Sequence, residues 1–339
     1  MKQFFKSCLA IFALLLICAA CSRQPSSIQN KKKPSDPEST QTISHQNDSQ
    51  VPKKDGTVIS LKEVKVPNTN FRLATYRMMY WSEGKKVEAY VAAPHGQGMY
   101  ALQVVCHGGY AASLPRTHVK QLDDVHFDET LIAYASPYQI TVAPLYKGYG
   151  NSEGTVEGLH GYTMDTENAI KAIKTYFNNH EKYPNIQDGH LYLQGVSMGG
   201  GVVLNIASER QDVLSVVAIS PFVGWDIFGN YCEEHQDNPI WKNYLDYAVR
   251  VYGQFNINLP AYKEQSIDYK KITAPVFLIQ GTADKNVPWE TVQTLYKKMK
   301  KNKQRVTIKL VDGGNHALSN KEDLLNQALT DWYDKNWHG

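Results

Sequence analysis

The stretch from Leu191 to Ser208 constrains the fold more than any other part of this 339-residue chain. Leu191-Tyr192-Leu193-Gln194 has the character of a buried strand, it runs directly into Gly195-Val196-Ser197-Met198-Gly199, and Gly200 to Ser208 continues as an apolar helix. A serine placed between a strand and a helix this way needs a sharp turn with strained backbone. The two elements then approach so closely that side chains two residues before and two after would clash, and Gly195 and Gly199 remove them. The turn lifts the Ser197 hydroxyl out of the sheet at the positive end of a helix, with the Met198 amide aimed where an oxyanion would form.

The remainder of the chain fits the architecture this turn requires. No internal repeat is present, and from residue 57 short apolar or β-branched runs alternate with helical stretches. Two early runs, about Phe71 to Trp81 and Val87 to Ala93, flank Ser82-Glu83-Gly84-Lys85 and predict an antiparallel hairpin. Buried strands are expected at Leu102 to Cys106, Ile140 to Leu145, His190 to Gln194, Ser215 to Ile219, Val276 to Gln280 and Val306 to Val311. Helices are expected over Thr163 to Phe177, with Asp165 and Glu167 complementing its amino-terminal dipole, and over Gly200 to Ser208, Trp289 to Met299 and Lys321 to Trp337. The fold class is therefore α/β: a mostly parallel central sheet with helices on both faces.

Between Ile219 and Val276 the chain makes an excursion too long for a plain crossover, rich in Trp225, Phe228, Tyr231, Trp241, Tyr244, Tyr247, Tyr252 and Phe255. These aromatics are either the core of extra helices or the wall of a cap over the strand ends, and a cap can be both.

A serine hydroxyl needs a base to take its proton and an acid to orient that base. After the strand at Val276 to Gln280 comes Gly281-Thr282-Ala283-Asp284, and after that at Val306 to Val311 comes Asp312-Gly313-Gly314-Asn315-His316. Ser197, Asp284 and His316 thus fall just past three strands, in the chain order Ser, Asp, His that such a fold uses. Asp312 is a rival orienter but lies so near His316 in sequence that it is expected to shape the loop. A second oxyanion donor is expected from Val104-Val105-Cys106-His107-Gly108-Gly109-Tyr110, assigned to the Gly109 amide with Tyr110 second. His107 is read as a structural hydrogen-bonding group. Tyr110 and Trp225 are the candidate pocket residues.

With these residues in place the chain resembles the α/β-hydrolase superfamily, and more narrowly the catalytic domain of the prolyl oligopeptidase (S9) group, from about Val87 to Trp337. Beyond the triad the resemblance rests on Ala89-Tyr90-Val91-Ala92-Ala93-Pro94, Gly148-Tyr149-Gly150-Asn151-Ser152-Glu153-Gly154, Ser220-Pro221-Phe222 and Gln265-Ser266-Ile267-Asp268-Tyr269 leading to Ile272-Thr273-Ala274-Pro275-Val276. It implies hydrolysis of an ester or peptide bond through an acyl-serine intermediate, without a cofactor. Three departures bear on the substrate. Met198 follows the nucleophile where S9 peptidases usually have Tyr, as is common in esterases and acylglycerol lipases; Lys147 stands where Arg is usual; and only about thirty residues separate the tether from the hydrolase strands, which leaves no room for a propeller. A carboxylesterase of small substrates is the alternative, and a surface binding protein that has lost catalysis a more distant one.

The amino terminus carries a basic start (Lys2, Lys6), an apolar run from Cys8 to Ile17 and Cys18-Ala19-Ala20-Cys21. It resembles a bacterial lipoprotein signal, residues 1–20 being removed and Cys21 acylated; Ser22 in the next position implies the outer membrane of a Gram-negative envelope. Residues 21–56 form a tether: beyond Cys21 they have no aromatic residue and are dense in Ser, Gln, Asn, Lys, Asp and Pro. The hydrolase domain is 57–339, with the insertion at about 222–270. A mean hydropathy of -0.43 excludes a polytopic membrane protein. The formal charge of +3 marks no nucleic-acid footprint. The five cysteines form no disulfide framework; Cys106 is expected to pack as a small apolar group, with pairing to Cys232 left open. Asp123, Asp124, His126, Asp128 and Glu129 match no metal-ligand spacing, and no metal is expected. The expected partners are a small ester or peptide substrate and, through the lipid, a membrane, with no obligate protein partner.

Overall fold

The computed structural model describes residues 52–64, 73–109 and 135–337. Nine strands form one sheet: β1 (Val58–Glu63), β2 (Leu73–Ser82), β3 (Lys85–Pro94), β4 (Met99–Cys106), β5 (Gln139–Pro144), β6 (Asn185–Val196), β7 (Val213–Ile219), β8 (Val276–Gly281) and β9 (Val306–Val311). Their spatial order is β1-β2-β3-β5-β4-β6-β7-β8-β9. The β2–β3 hairpin pairs antiparallel from Leu73↔Pro94 to Ser82↔Lys85 and joins β5 antiparallel, whereas every pair from β5 to β9 is parallel. β1 was not anticipated: its Val-Ile-Ser-Leu-Lys-Glu sequence buries only Ile59, too weak an alternation to announce a strand.

The parallel strands are buried on both faces, and the period of two divides them cleanly. Val216, Ala218, Val276 and Leu278 belong to one core cluster, whereas Val217, Ile219, Phe277 and Ile279 belong to another. Helices cover the first face: α1 (Leu159–Asn178) and α2 (Met198–Glu209). The insertion folds as α3 (Trp225–Glu234), α4 (Pro239–Tyr252) and α5 (Pro260–Lys263), and α6 (Trp289–Lys301) joins β8 to β9. The last helix, α7 (Glu322–Asn336), seals the second face with Leu325, Ala328 and Tyr333. Among the described residues no helix is long and apolar enough to cross a membrane.

α1 starts a turn earlier than Thr163, because Leu159 and Tyr162 are themselves fully buried and extend its apolar stripe backward from Ala169, Ile170, Ile173 and Phe177. Asp165 and Glu167 therefore lie beyond the first turn and do not meet the dipole. Asp165 is fully buried instead, and Glu167 pairs with Arg210 at 2.7 Å.

The insertion has an aromatic interior. Trp225, 3% exposed, meets Phe222 at 5.8 Å, Phe228 at 5.6 Å and Tyr262 at 6.2 Å between ring centroids, all edge-to-face. Of the two readings open for Trp225, packing into the interior of the insertion is the one these contacts show. Cys106 and Cys232 are both free and buried, and burial pushes each thiol up to about 12, which leaves them inert.

Candidate active site

The turn at Ser197 has the strain its sequence demands. Ser197 lies at φ 57°, ψ -121°, immediately before α2, a conformation that costs about 1–3 kcal/mol and must be held by its surroundings. What holds it is backbone. The Ser197 amide donates to Ile219 O at 2.9 Å, and its carbonyl accepts from the Phe222 amide at 2.9 Å. A Cβ on Gly195 would lie 2.2 Å from the Gly199 oxygen, and one on Gly199 would lie 2.1 Å from the Cys106 oxygen. Met198 is the first residue of α2, so its N–H has no acceptor within the helix.

Two loops beyond β8 and β9 interlock at the same carboxyl edge of the parallel sheet. A Cβ on Gly281 would lie 2.2 Å from Gly314 O, and the Ala283 amide donates to that same oxygen at 3.0 Å. This crossing brings Asp284 and His316 together, with Nδ1 of His316 2.8 Å from Oδ2 of Asp284. The Asp284 side chain is wholly buried and the His316 side chain 22% exposed. Oδ1 of Asp284 accepts from the Asn286 and Val287 amides at 2.8 and 3.0 Å, and Oδ2 also accepts from Gln280 Nε2 at 2.8 Å. Burial alone would raise this carboxyl; His316 and the amide donors outweigh it and hold Asp284 below the usual carboxylate range. Asp312 bonds Thr282 at 3.3 Å, consistent with a loop-shaping role. The Ser197 hydroxyl makes no hydrogen bond among the described residues, so the Asp–His half of the relay is assembled and the Ser–His half is open. Such bonds often tighten only when substrate arrives.

On the other side of Ser197 runs the loop after β4. A Cβ on Gly108 would lie 3.1 Å from Ser197 Cβ and 3.7 Å from its Oγ, so Gly108 is the glycine in contact with the nucleophile. A Cβ on Gly109 would instead meet the Tyr149 hydroxyl at 2.5 Å, which in turn accepts from Tyr162 at 2.9 Å. His107 is buried against Tyr146 and Tyr149, and its ring nitrogens face the carbonyls of Gly108 at 2.5 Å and Leu145 at 3.3 Å, as a structural group would. Tyr110, Cys21 and the cluster from Asp123 to Glu129 lie outside the described residues.

Sequence reasoning missed the anchor of the 147–154 loop. Lys147 Nζ, nearly buried, pairs with Glu83, with Glu157 at 2.7 Å and with Asp165 at 3.9 Å. Burial disfavours its charge, yet the three carboxylates outweigh that and raise its pKa. Asp165 behaves oppositely: burial pushes it up to about 7 despite Lys147, the Ser82 hydroxyl at 2.6 Å and the Lys147 amide at 2.7 Å. The signal available beforehand was the Arg-like position of Lys147 in the glycine-rich segment; its partners are distant in sequence.

The family model for the prolyl oligopeptidase family, peptidase S9, matches residues 165–339, just over half of the chain. The chain belongs to that family. It is accordingly a hydrolase of the serine type, built on the α/β-hydrolase fold. Over 283 residues, 81% of this chain and 98% of the relative, it is 26% identical to the "Uncharacterized peptidase YtmA" of Bacillus subtilis. Among solved structures, the acylaminoacyl peptidase of Pyrococcus horikoshii superposes with a TM-score of 0.59 at 14% identity, covering 78% of this chain and 42% of that one. The cell wall degrading esterase LipA of Xanthomonas oryzae superposes at 0.58 and 14% identity, covering 84% of this chain and 100% of that one. This family member thus spans less than half of the peptidase and the full length of the esterase, and at such identities both attest the fold alone.

Proposed function

We propose that this S9-family hydrolase cleaves an ester or peptide bond of a small substrate through an acyl-serine intermediate. Ser197 Oγ attacks the acyl carbon, and His316 takes its proton and then delivers it to the leaving group. Asp284 holds the imidazole in the tautomer that leaves Nε2 free to act as base, because Nδ1–H is committed to Oδ2. The Met198 and Gly109 amides receive the oxyanion. Water then repeats the sequence on the acyl-enzyme. The observation that carries this reading is the 2.8 Å Asp284–His316 contact formed by two interlocked loops at the sheet edge where a serine stands in a strained turn.

Labelling by a fluorophosphonate probe tests it: the wild type is expected to label and Ser197→Ala not. An unlabelled wild type, or a labelled Ser197→Ala, sinks the reading. Within it, the peptidase branch follows the family, while Met198 after the nucleophile favours small esters. p-Nitrophenyl acyl esters compared with peptide anilides decide between them, since turnover of esters alone removes the peptidase branch. We also propose export and acylation at Cys21, from the signal-like amino terminus, with attachment to the outer membrane of the cell envelope. Recovery of Cys21→Ser in the same membrane fraction as the wild type would overturn that.

A further inference from the structure

β8 is apolar through Val-Phe-Leu-Ile and then places one polar side chain, Gln280, in the interior, with no exposure at all. Its Nε2 reaches Asp284 Oδ2 at 2.8 Å, Gly281 O at 3.1 Å and Val287 O at 3.3 Å. All three are acceptors, so the amide orientation is settled: the reversed amide would aim an oxygen at a carboxylate and two carbonyls. Its Oε1 pays for this arrangement, being buried with no hydrogen-bond partner among the described residues. A side chain serving only to fill space or satisfy itself would not leave that oxygen bare. The residue is therefore kept for its donor end.

We propose that Gln280 is a positioning residue for the reaction, fixing Asp284 Oδ2 so that one lone pair faces His316 while the other is occupied by the amide. The proposal rests on the Ser197–His316–Asp284 reading. Oδ2 is the oxygen shared by Gln280 and His316, whereas Oδ1 is held by the Asn286 and Val287 amides. Without Gln280 the carboxylate keeps its Oδ1 anchors but can rotate about them, and its charge on Oδ2 is no longer shared with a neutral donor. The imidazole then loses the fixed partner that sets its orientation, and the fuller negative charge on Oδ2 attracts positive charge on the facing ring more strongly, His316 being the titratable group that faces Asp284 across the two loops.

The test is Gln280→Met in the full chain, followed by the second-order rate of fluorophosphonate labelling and by kcat and KM on a p-nitrophenyl acyl ester across pH. Labelling and kcat are expected to fall about tenfold, as loss of a hydrogen bond to a charged group implies. KM should be nearly unchanged, and the acid limb of the kcat/KM profile should move to higher pH. Gln280→Glu, which sets a second carboxyl against Oδ2, should fall further. A folded Gln280→Met that labels at the wild-type rate with an unmoved acid limb overturns the proposal, as does an equal change in KM and kcat with no pH shift. Should Gln280→Met not fold, Gln280→Asn, too short to reach Oδ2, carries the same test with the same outcomes. An unlabelled wild type would instead condemn the triad reading, so the two failures are distinct.

Discussion

Two aspartates, both buried and both tied to a neighbouring cation or imidazole, end up on opposite sides of their ordinary proton affinity. Asp284 sits between the loops after β8 and β9 with four donors within 3.0 Å, two backbone amides, one carboxamide and His316, and it is held in the charged form. Asp165 sits under the 147–154 loop with two short neutral donors and an ammonium 3.9 Å away, and burial wins. Burial is common to both, so the number and distance of donors decide the outcome. A carboxylate meant to stay charged beside a base must be surrounded by N–H groups, and one that packs a loop against a helix need not be.

The largest effect should come from Asp284→Asn, which removes the charge that steadies the imidazolium. kcat is expected to fall about 10⁴-fold with KM nearly constant, the loss typical of an orienting carboxylate. Asp165→Asn should keep kcat within a few-fold. Steady-state kinetics on one acyl ester compare the two directly, and similar losses in both would mean that Asp165 also serves the chemistry.

Lys147→Met acts on the second aspartate by removing its cation. Denaturant unfolding at pH 8 should show a loss of about 3 kcal/mol, the low end for breaking a buried ion pair, because a carboxyl that titrates near neutrality can take up a proton instead. The loss should shrink toward pH 5, where Asp165 already carries that proton. A loss that stays constant with pH would put the cost in Glu83 and Glu157 and end the contrast drawn here.

Much of the first aspartate's surroundings was legible in sequence, and little of the second's. Ser197, Asp284 and His316 each follow an apolar strand, and glycines mark the crossings at Gly195, Gly199, Gly281 and Gly314, so local pattern and turn chemistry carried the reading. Gln280 was visible too, as the lone polar residue closing an apolar strand, but which acceptors it meets depends on the loop folding back. The Lys147 cluster joins Glu83 in a hairpin turn, Glu157 before α1 and Asp165 within it, three segments that no periodicity relates. Trp225 shows the same limit: a run rich in aromatics announces burial, yet which rings face inward is settled by α3, α4 and α5 packing on one another.

The sharpest test of the contrast is the slope of stability with pH. A carboxyl raised in the native state binds its proton more tightly there than in the unfolded chain. Between the ordinary 3.8 and about 7 the native protein therefore holds a proton that the unfolded chain has released, and stability falls as pH rises through that window, by at most about 1.4 kcal/mol per unit. Asp284 has the reverse sign: its contribution is complete above 3.8 and is lost as pH drops through its depressed native value. Thermal unfolding of the two Asn variants across pH should separate the limbs. Asp165→Asn should flatten the decline between pH 4 and 7 and leave the acid limb alone, while Asp284→Asn should flatten only the acid limb. An Asp165→Asn curve parallel to the wild type from pH 4 to 7 would mean that Asp165 is ionised throughout, and that Lys147 at 3.9 Å does suffice to offset burial.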